Sequence, residues 1–255
     1  MTRENGWPKA VFFDLDDTLY DQLEPFRAAL EAFGGAVGGI AADELYRRFR
    51  RHSEALWEPY RAGRMTLERM RVERIRRALA DCGIEAEEAD CERFQAMYQE
   101  GQYRIRLRPG AEFCLAELAS AGFLLGVVTN GPGPHQARKL EALGIGRYIP
   151  RERWFISGEI GAAKPDPALF AHVNRATGTR PERCALVGDS PENDVGGAAR
   201  AGWRAVWFNP REGASHGGAP DGDASHGCAA GPLPEADLMA GDFRDLARRL
   251  IGLMA

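Results

Sequence analysis

Four short groups of polar residues in this chain have the makings of a reactive centre. They are Asp14, Asp16 and Asp17; Thr129 and Asn130; Lys164; and Asp189, Ser190, Asn193 and Asp194. Bare carboxylates brought together repel one another, and a hard divalent cation removes that repulsion. Mg²⁺ takes octahedral oxygen ligands, usually one or two carboxylates with waters and substrate phosphate. Lys164 adds a second positive charge, and the Thr129 hydroxyl and the backbone N–H groups near Asn130 add donors for phosphate oxygens. Such a set suits a phosphoryl group better than a carbonyl, because the work is electrostatic stabilisation of the transferring phosphoryl. Asp14 and Asp16 are two residues apart, so on extended chain they point the same way. One carboxylate can attack phosphorus to form an aspartyl-phosphate. The other can protonate the leaving oxygen and then activate water.

Each group follows a short apolar run bounded by Gly, Pro or Asp, the pattern of a buried strand. Five strands are predicted: Lys9–Phe13, Gly122–Thr129, Trp154–Ser157, Cys184–Gly188 and Trp203–Phe208. Helical patterns alternate with them at Ala111–Ala121, His135–Leu143, Pro167–Thr177 and Glu192–Ala201, and a last helix is predicted over Asp242–Leu253. That alternation implies an α/β fold, a Rossmann-like, doubly wound parallel sheet of five strands with helices on both faces. In such a sheet ligands bind outside the carboxyl ends of the strands, which is where the four groups fall. One stretch breaks the alternation. Glu24–Val37, Ala42–Arg61, Thr66–Asp81 and Ala86–Tyr103 are all helical, punctuated by glycines. The predicted organisation is a core of residues 1–22 and 107–255, with an all-α insert over 23–106. Ser215–Pro234 is rich in Gly, Ala, Ser, Asp and Pro and reads as a flexible linker.

With these residues in view, the chain resembles the haloacid dehalogenase superfamily. Asp14-Leu15-Asp16-Asp17-Thr18 is similar to its first motif, DxDxT; Thr129-Asn130-Gly131, Lys164-Pro165-Asp166 and Gly188-Asp189-Ser190-Pro191-Glu192-Asn193-Asp194 follow in the family's order. The insert after the first motif matches the type 1 helical cap. The resemblance spans nearly the whole chain and implies roles residue by residue. Asp14 would be the nucleophile and Asp16 the general acid and base. Thr129 and the Asn130 region would bind phosphate, and Lys164 would steady both nucleophile and transferring group. Mg²⁺ would be held by the Asp14 carboxylate, the Asp16 backbone carbonyl and Asp189, with Asp194 supporting the metal waters or Lys164. Dehalogenase members lack an acid at the position of Asp16, so its presence favours phosphate ester hydrolysis. The implied substrate is a small soluble phosphomonoester, with a lean toward a nucleoside 5′-monophosphate. A sugar-phosphate phosphatase and a phosphomutase are the alternatives within the superfamily. A receiver-like phospho-acceptor or a binding protein is the alternative outside it, although receivers carry no such helical insert.

The rest of the sequence narrows the field. The chain has 255 residues with 33 basic and 37 acidic side chains, for a formal charge of −4. That balance argues against a nucleic-acid polymer as partner. No run approaches the ~18 apolar residues of a membrane span, and a cytoplasmic monomer or homodimer is the expectation. The five cysteines show no C-x-x-C spacing, so neither a disulfide framework nor a zinc site is indicated. Calcium loops starting at Asp14 or Asp189 fail, because Leu19 and Asp194 stand where the loop needs glycine. Asp17 is expected to face solvent or cap its turn. Tyr20 and Asp21, where the chain leaves for the cap, are candidate substrate contacts. Only Lys9, Lys139 and Lys164 among the basic residues are lysines, which makes each worth attention. Eleven arginines against four acids between 47 and 77 give the insert a cationic character suited to anionic substrates.

Overall fold

The computed structural model describes residues 8–33, 40–210 and 235–255, so the predicted linker and the end of the first insert helix lie outside the described residues. The chain divides into two compact units, one of 8–21 with 106–210 and 235–255, the other of 22–105. The first is built on a sheet: β1 (Ala10–Phe13), β2 (Leu124–Thr129), β3 (Trp154–Ile156), β4 (Cys184–Gly188), β5 (Arg204–Phe208) and β6 (Leu238–Ala240). All pair in parallel, in the order β3-β2-β1-β4-β5-β6. The chain therefore winds outward to one side of β1 and then to the other. The switch point falls beside β1, between its neighbours β2 and β4, where the strand ends leave a crevice.

Both faces of the sheet are covered, and alternation along β1 shows how. Phe12 packs on one side against Trp203, with ring centroids 4.8 Å apart, and against Phe155 at 6.1 Å. Phe13, the next residue, meets Phe243 on the other side at 6.3 Å. Successive strand residues point to opposite faces, so a strand covered on both sides must be apolar throughout. Gly126 in β2 is required by the same packing: a Cβ there would lie 2.5 Å from the Phe12 ring.

A sixth strand was not expected. Leu238–Ala240 is only three residues and follows a stretch without apolar pattern, so its strand character comes from pairing with β5. The connecting helices are α5 (Ala111–Ser120), α6 (Gly133–Ala142), the short α7 (Ser157–Ile160), α8 (Pro167–Thr177), α9 (Gly197–Arg200) and α10 (Leu246–Leu253). The predicted helix 192–201 differs in kind. Its first part, Pro191–Gly196, is a π-helical turn in which Val195 N–H donates to Ser190 C=O at 3.2 Å, and α9 supplies only the end. A π turn carries one extra residue and redirects side chains, and such turns recur at functional sites.

The second unit is a bundle of α1 (Leu23–Phe33), α2 (Ala42–Arg61), α3 (Leu67–Ala80) and α4 (Glu88–Gly101). Thr66 caps α3 by accepting from Arg69 N–H at 3.1 Å. The core is aromatic. Phe26 sits among Tyr46, Phe49, Phe94 and Tyr98 with centroid distances of 5.1 to 5.7 Å, mostly edge to face. No helix among the described residues is long and apolar enough to cross a membrane. Phe26→Ala removes the ring shared by all four neighbours, so a loss of about 3–5 kcal/mol is expected in denaturant unfolding. A loss under about 1 kcal/mol would mean that the bundle is held elsewhere.

Candidate active site

All four polar groups project from the carboxyl ends of β1, β2 and β4 and from the loop after β3 and α7. Asp14 is the first residue beyond β1, and its N–H is held by the Val187 carbonyl of β4 at 2.8 Å. Lys164, 4% exposed, is the hub. Its ammonium donates to Asp14 Oδ1 and, at 2.6 Å, to Asp194 Oδ1. Burial works against that charge, but the two facing carboxylates outweigh it and hold the ammonium well above the ordinary lysine range. For Asp14, burial is the largest influence and pushes its carboxyl up, Lys164 pulls it down, and Asp194 and Asp16 push it up again, to about 7.

Backbone geometry fixes this hub. Asn130 clamps the Lys164 loop with a reciprocal pair: its Oδ1 accepts from Lys164 N–H and its Nδ2 donates to Lys164 C=O, both at 2.9 Å. The Asn130 amide is thus committed to positioning Lys164, and a phosphate contact from this residue would have to come from its backbone. Asp194 reaches Lys164 because the π turn carries it inward, and its Oδ2 accepts from Ser190 N–H at 2.9 Å. Gly188 makes the room; a Cβ there would lie 2.2 Å from the Asp194 carboxyl carbon. Ligand oxygens of Asp14, Asp189 and Asp194 lie within 4.8 Å of one another. The expected metal residues Asp14 and Asp189 are therefore together, and Asp194 joins them.

Asp16 is held separately. Lys139 donates to its Oδ1 at 2.7 Å, Tyr20 O–H to the same oxygen at 2.5 Å, and Gln136 Nε2 to its Oδ2 at 2.8 Å. Burial raises its pKa, but the Lys139 charge and the three hydrogen bonds prevail and hold the carboxyl far below the usual range. Gln136 also donates to Thr129 Oγ1 at 2.7 Å and to the Asn130 carbonyl at 3.0 Å. The Thr129 hydroxyl proton is left to donate elsewhere, as a phosphate-binding hydroxyl must.

The model of the haloacid dehalogenase-like hydrolases matches residues 8–202, from the strand before Asp14 through the π turn and α9. The chain belongs to the haloacid dehalogenase-like hydrolases. Among similar proteins, the phosphoserine phosphatase of Thermus thermophilus is 38% identical over 226 residues, covering 79% of this chain and 88% of that one. The glyceraldehyde 3-phosphate phosphatase of Methanopyrus kandleri is 31% identical, covering 76% and 81%. Phosphoglycolate phosphatase 1 of Pseudomonas aeruginosa is 32% identical, covering 77% and 68%. The solved structure of the Bacillus subtilis HAD-hydrolase YfnB, bound to magnesium, superposes with a TM-score of 0.70 at 23% identity, over 96% of this chain and 99% of that one. That likeness establishes the shared fold.

In this haloacid dehalogenase-like hydrolase the residues missed by sequence reasoning are those around Asp16. Lys139 stood out only as one of three lysines, and Gln136 did not stand out at all. The available signal was their spacing of three on α6, which puts both on one helix face at the end of β2. Tyr20, a candidate substrate contact, donates to Asp16, and Asp21, the other candidate, faces Arg108 at 3.5 Å. Asp17 corrects the expectation of solvent exposure. It is 4% exposed with φ of 60°, and the Arg108 guanidinium donates to its carbonyl at 3.1 Å. The bend that reverses the chain after β1 is tight enough to bury it.

Removing Lys139 leaves a buried carboxylate without its cation. Lys139→Met is expected to lower stability at pH 7 by about 3–5 kcal/mol. Asp16 in the wild type has a lowered pKa, so it contributes stability above the ordinary carboxylate range that is lost as pH falls. The deficit of the variant should therefore shrink as pH drops below about 4, where the wild type loses this contribution. Denaturant melts from pH 7 downward test this; a pH-independent deficit would remove the ion pair from its assigned role.

Proposed function

We propose that this hydrolase is a Mg²⁺-dependent phosphatase of small phosphomonoesters that works through an aspartyl-phosphate on Asp14. The observation that carries the reading is the buried Lys164 shared by Asp14 and Asp194, with the Asp16 carboxylate held apart on Lys139. The names of the similar proteins, phosphoserine, glyceraldehyde 3-phosphate and phosphoglycolate phosphatases, support it. They favour a short organophosphate over the nucleoside monophosphate suggested by the sequence.

The donor set fits the metal. Asp14, Asp189 and Asp194 offer only hard oxygens, and these three clustered carboxylates with one ammonium, shared by Asp14 and Asp194, leave net negative charge at a partly buried site. Asp14 and Asp189 would hold the ion, because both oxygens of Asp194 already serve Lys164 and the Ser190 N–H. Bound there, Mg²⁺ supplies positive charge to the phosphoryl oxygens and keeps Asp14 ionised.

The chain's own groups then divide the work. Asp14 Oδ1 is engaged by Lys164, and the other oxygen attacks phosphorus as the bond to the leaving oxygen breaks. Lys164 and the Thr129 hydroxyl oppose the charge on the equatorial oxygens. Asp16 gives its proton to the leaving alkoxide. That proton is taken up with the substrate, whose negative charge works against the Asp16 carboxylate. As a carboxylate, Asp16 next removes a proton from the water that attacks the aspartyl-phosphate. Phosphate leaves, Asp14 is regenerated, and Asp16 is again protonated. Because Lys139, Tyr20 and Gln136 fix both of its oxygens, Asp16 can pass through both states without changing place.

Phosphate release from a panel of small organophosphates, nucleotides and p-nitrophenyl phosphate, with Mg²⁺ or EDTA, tests the reading. Release that needs Mg²⁺ and falls about 10⁴-fold or more in Asp14→Asn is expected. No release from a folded protein across the panel would overturn it. Asp16→Ala should slow alkyl phosphates about 10²–10⁴-fold and p-nitrophenyl phosphate far less, since nitrophenolate departs without a proton. Equal losses on both would remove Asp16 from acid catalysis.

A further inference from the structure

The three clustered carboxylates are placed in two different ways. Asp14 and Asp194 are tied to the Lys164 ammonium through their side chains. Asp189 is placed through its main chain. The peptide that joins Asp189 to Ser190 is held at both edges. Its carbonyl accepts from the Trp207 indole Nε1–H at 3.0 Å, and its N–H donates to Asp194 Oδ2 at 2.9 Å. A peptide group is planar, so bonds on its two opposite edges fix its orientation. They thereby fix the backbone torsion from which the Asp189 side chain departs. Just beyond, the Ser190 hydroxyl accepts from Asn193 N–H at 3.2 Å, where the π turn begins.

Trp207 is well suited to hold this peptide. It lies in β5, paired with Gly188 of β4, so its indole needs to reach only one residue along the neighbouring strand. The ring is half-buried and packs against the core cluster that contains Phe12, Leu186 and Trp203, which leaves it little freedom to turn. An indole nitrogen donates and cannot accept, so the bond to the carbonyl has one possible sense.

The consequence concerns the cation. Mg²⁺ demands a near-ideal octahedron with ligands at about 2.0–2.1 Å, whereas Ca²⁺ accepts a flexible shell at about 2.3–2.6 Å. A carboxylate that cannot shift suits the first ion, and one that can swing suits the second. Lys164 holds Asp14 and Asp194 whatever happens at Trp207, so Asp189 is the acid whose freedom the indole controls.

We propose that Trp207 is a positioning residue for Asp189, and that its indole N–H makes the site selective for Mg²⁺ over Ca²⁺. The assignment rests on the metal site of the phosphatase reading, but not on the reaction.

The test titrates the full chain with MgCl₂ and, separately, with CaCl₂, and reads each dissociation constant from the rise in melting temperature. Trp207→Phe keeps an aromatic ring at this position and removes the donor. It should weaken Mg²⁺ binding about tenfold or more, as loss of a metal ligand's own hydrogen-bond partner commonly does. Ca²⁺ binding should weaken about threefold or less, because its shell tolerates a displaced carboxylate. The selectivity ratio should therefore fall about threefold or more. An unchanged ratio overturns the assignment, whether both constants rise together, as simple loosening of the fold would make them, or neither moves. Trp207→Leu, which also lacks the donor, decides the matter if Trp207→Phe does not fold. A wild type that binds no Mg²⁺ removes the metal from the site and overturns the assignment with it. A wild type that binds Mg²⁺ but releases no phosphate from any ester overturns the phosphatase reading alone, and the ratio still judges Trp207.

Discussion

The interaction on which the rest of the catalytic unit depends is the buried ammonium of Lys164 between Asp14 and Asp194. A lysine this far from water is stable only when carboxylates face it. The carboxylates in turn come from β1 and from the turn after β4, two segments far apart in sequence and adjacent in the sheet. Several features of the sheet serve that one contact: Gly188 gives up its side chain to admit Asp194, the π turn swings Asp194 inward, and Asn130 grips both sides of the Lys164 peptide. The buried charges of Lys164, Asp14 and Asp194 are paired, but the pairing leaves an excess of negative charge. Two acids share one lysine and Asp189 stands beside them, a charge balance that suits a divalent cation and a phosphoryl group.

Asp16 shows the opposite treatment of a similar group two residues away. Asp14 is pushed up by burial and by its acidic neighbours, whereas Asp16 is pulled down by Lys139, Tyr20 and Gln136. Two carboxylates with divergent environments are what a reaction needs when one must attack and the other must carry protons. Gln136 links Asp16 to the second motif, since its amide nitrogen shares two hydrogens among Asp16, Thr129 and the Asn130 carbonyl. Position 136 is therefore a joint between motifs.

The helical unit follows a different logic. Its stability comes from an aromatic core around Phe26, and its surface charges are largely neutralised along and between helices. Arg71 and Arg74 depart from that pattern on one face of α3. Composition alone presents eleven arginines as equivalent. Only packing separates arginines that meet acids, such as Arg76 and Arg77 on Glu73, from Arg74, which lies on the Phe49 ring.

Strands β1 to β5, the four-helix insert and the order of the four motifs were legible in the sequence. These depend on local periodicity and on residue types that chemistry restricts: apolar runs that must be buried on both faces, and acids placed directly after them. It also pointed to Asp14, Asp16, Lys164 and Asp189 as one site, because a doubly wound sheet brings those strand ends together. Tertiary structure decided the rest. Strand β6 exists through its pairing with β5, and the turn at 191–196 is π-helical where periodicity alone suggests a regular helix. Asp17 is buried because the chain bends sharply back after β1. Lys139 and Gln136 became partners of Asp16, and Arg74 was left without an acid, because such relations join residues on different elements. No local pattern encodes a distance across the fold, and it is those distances that set the charge state and task of each side chain.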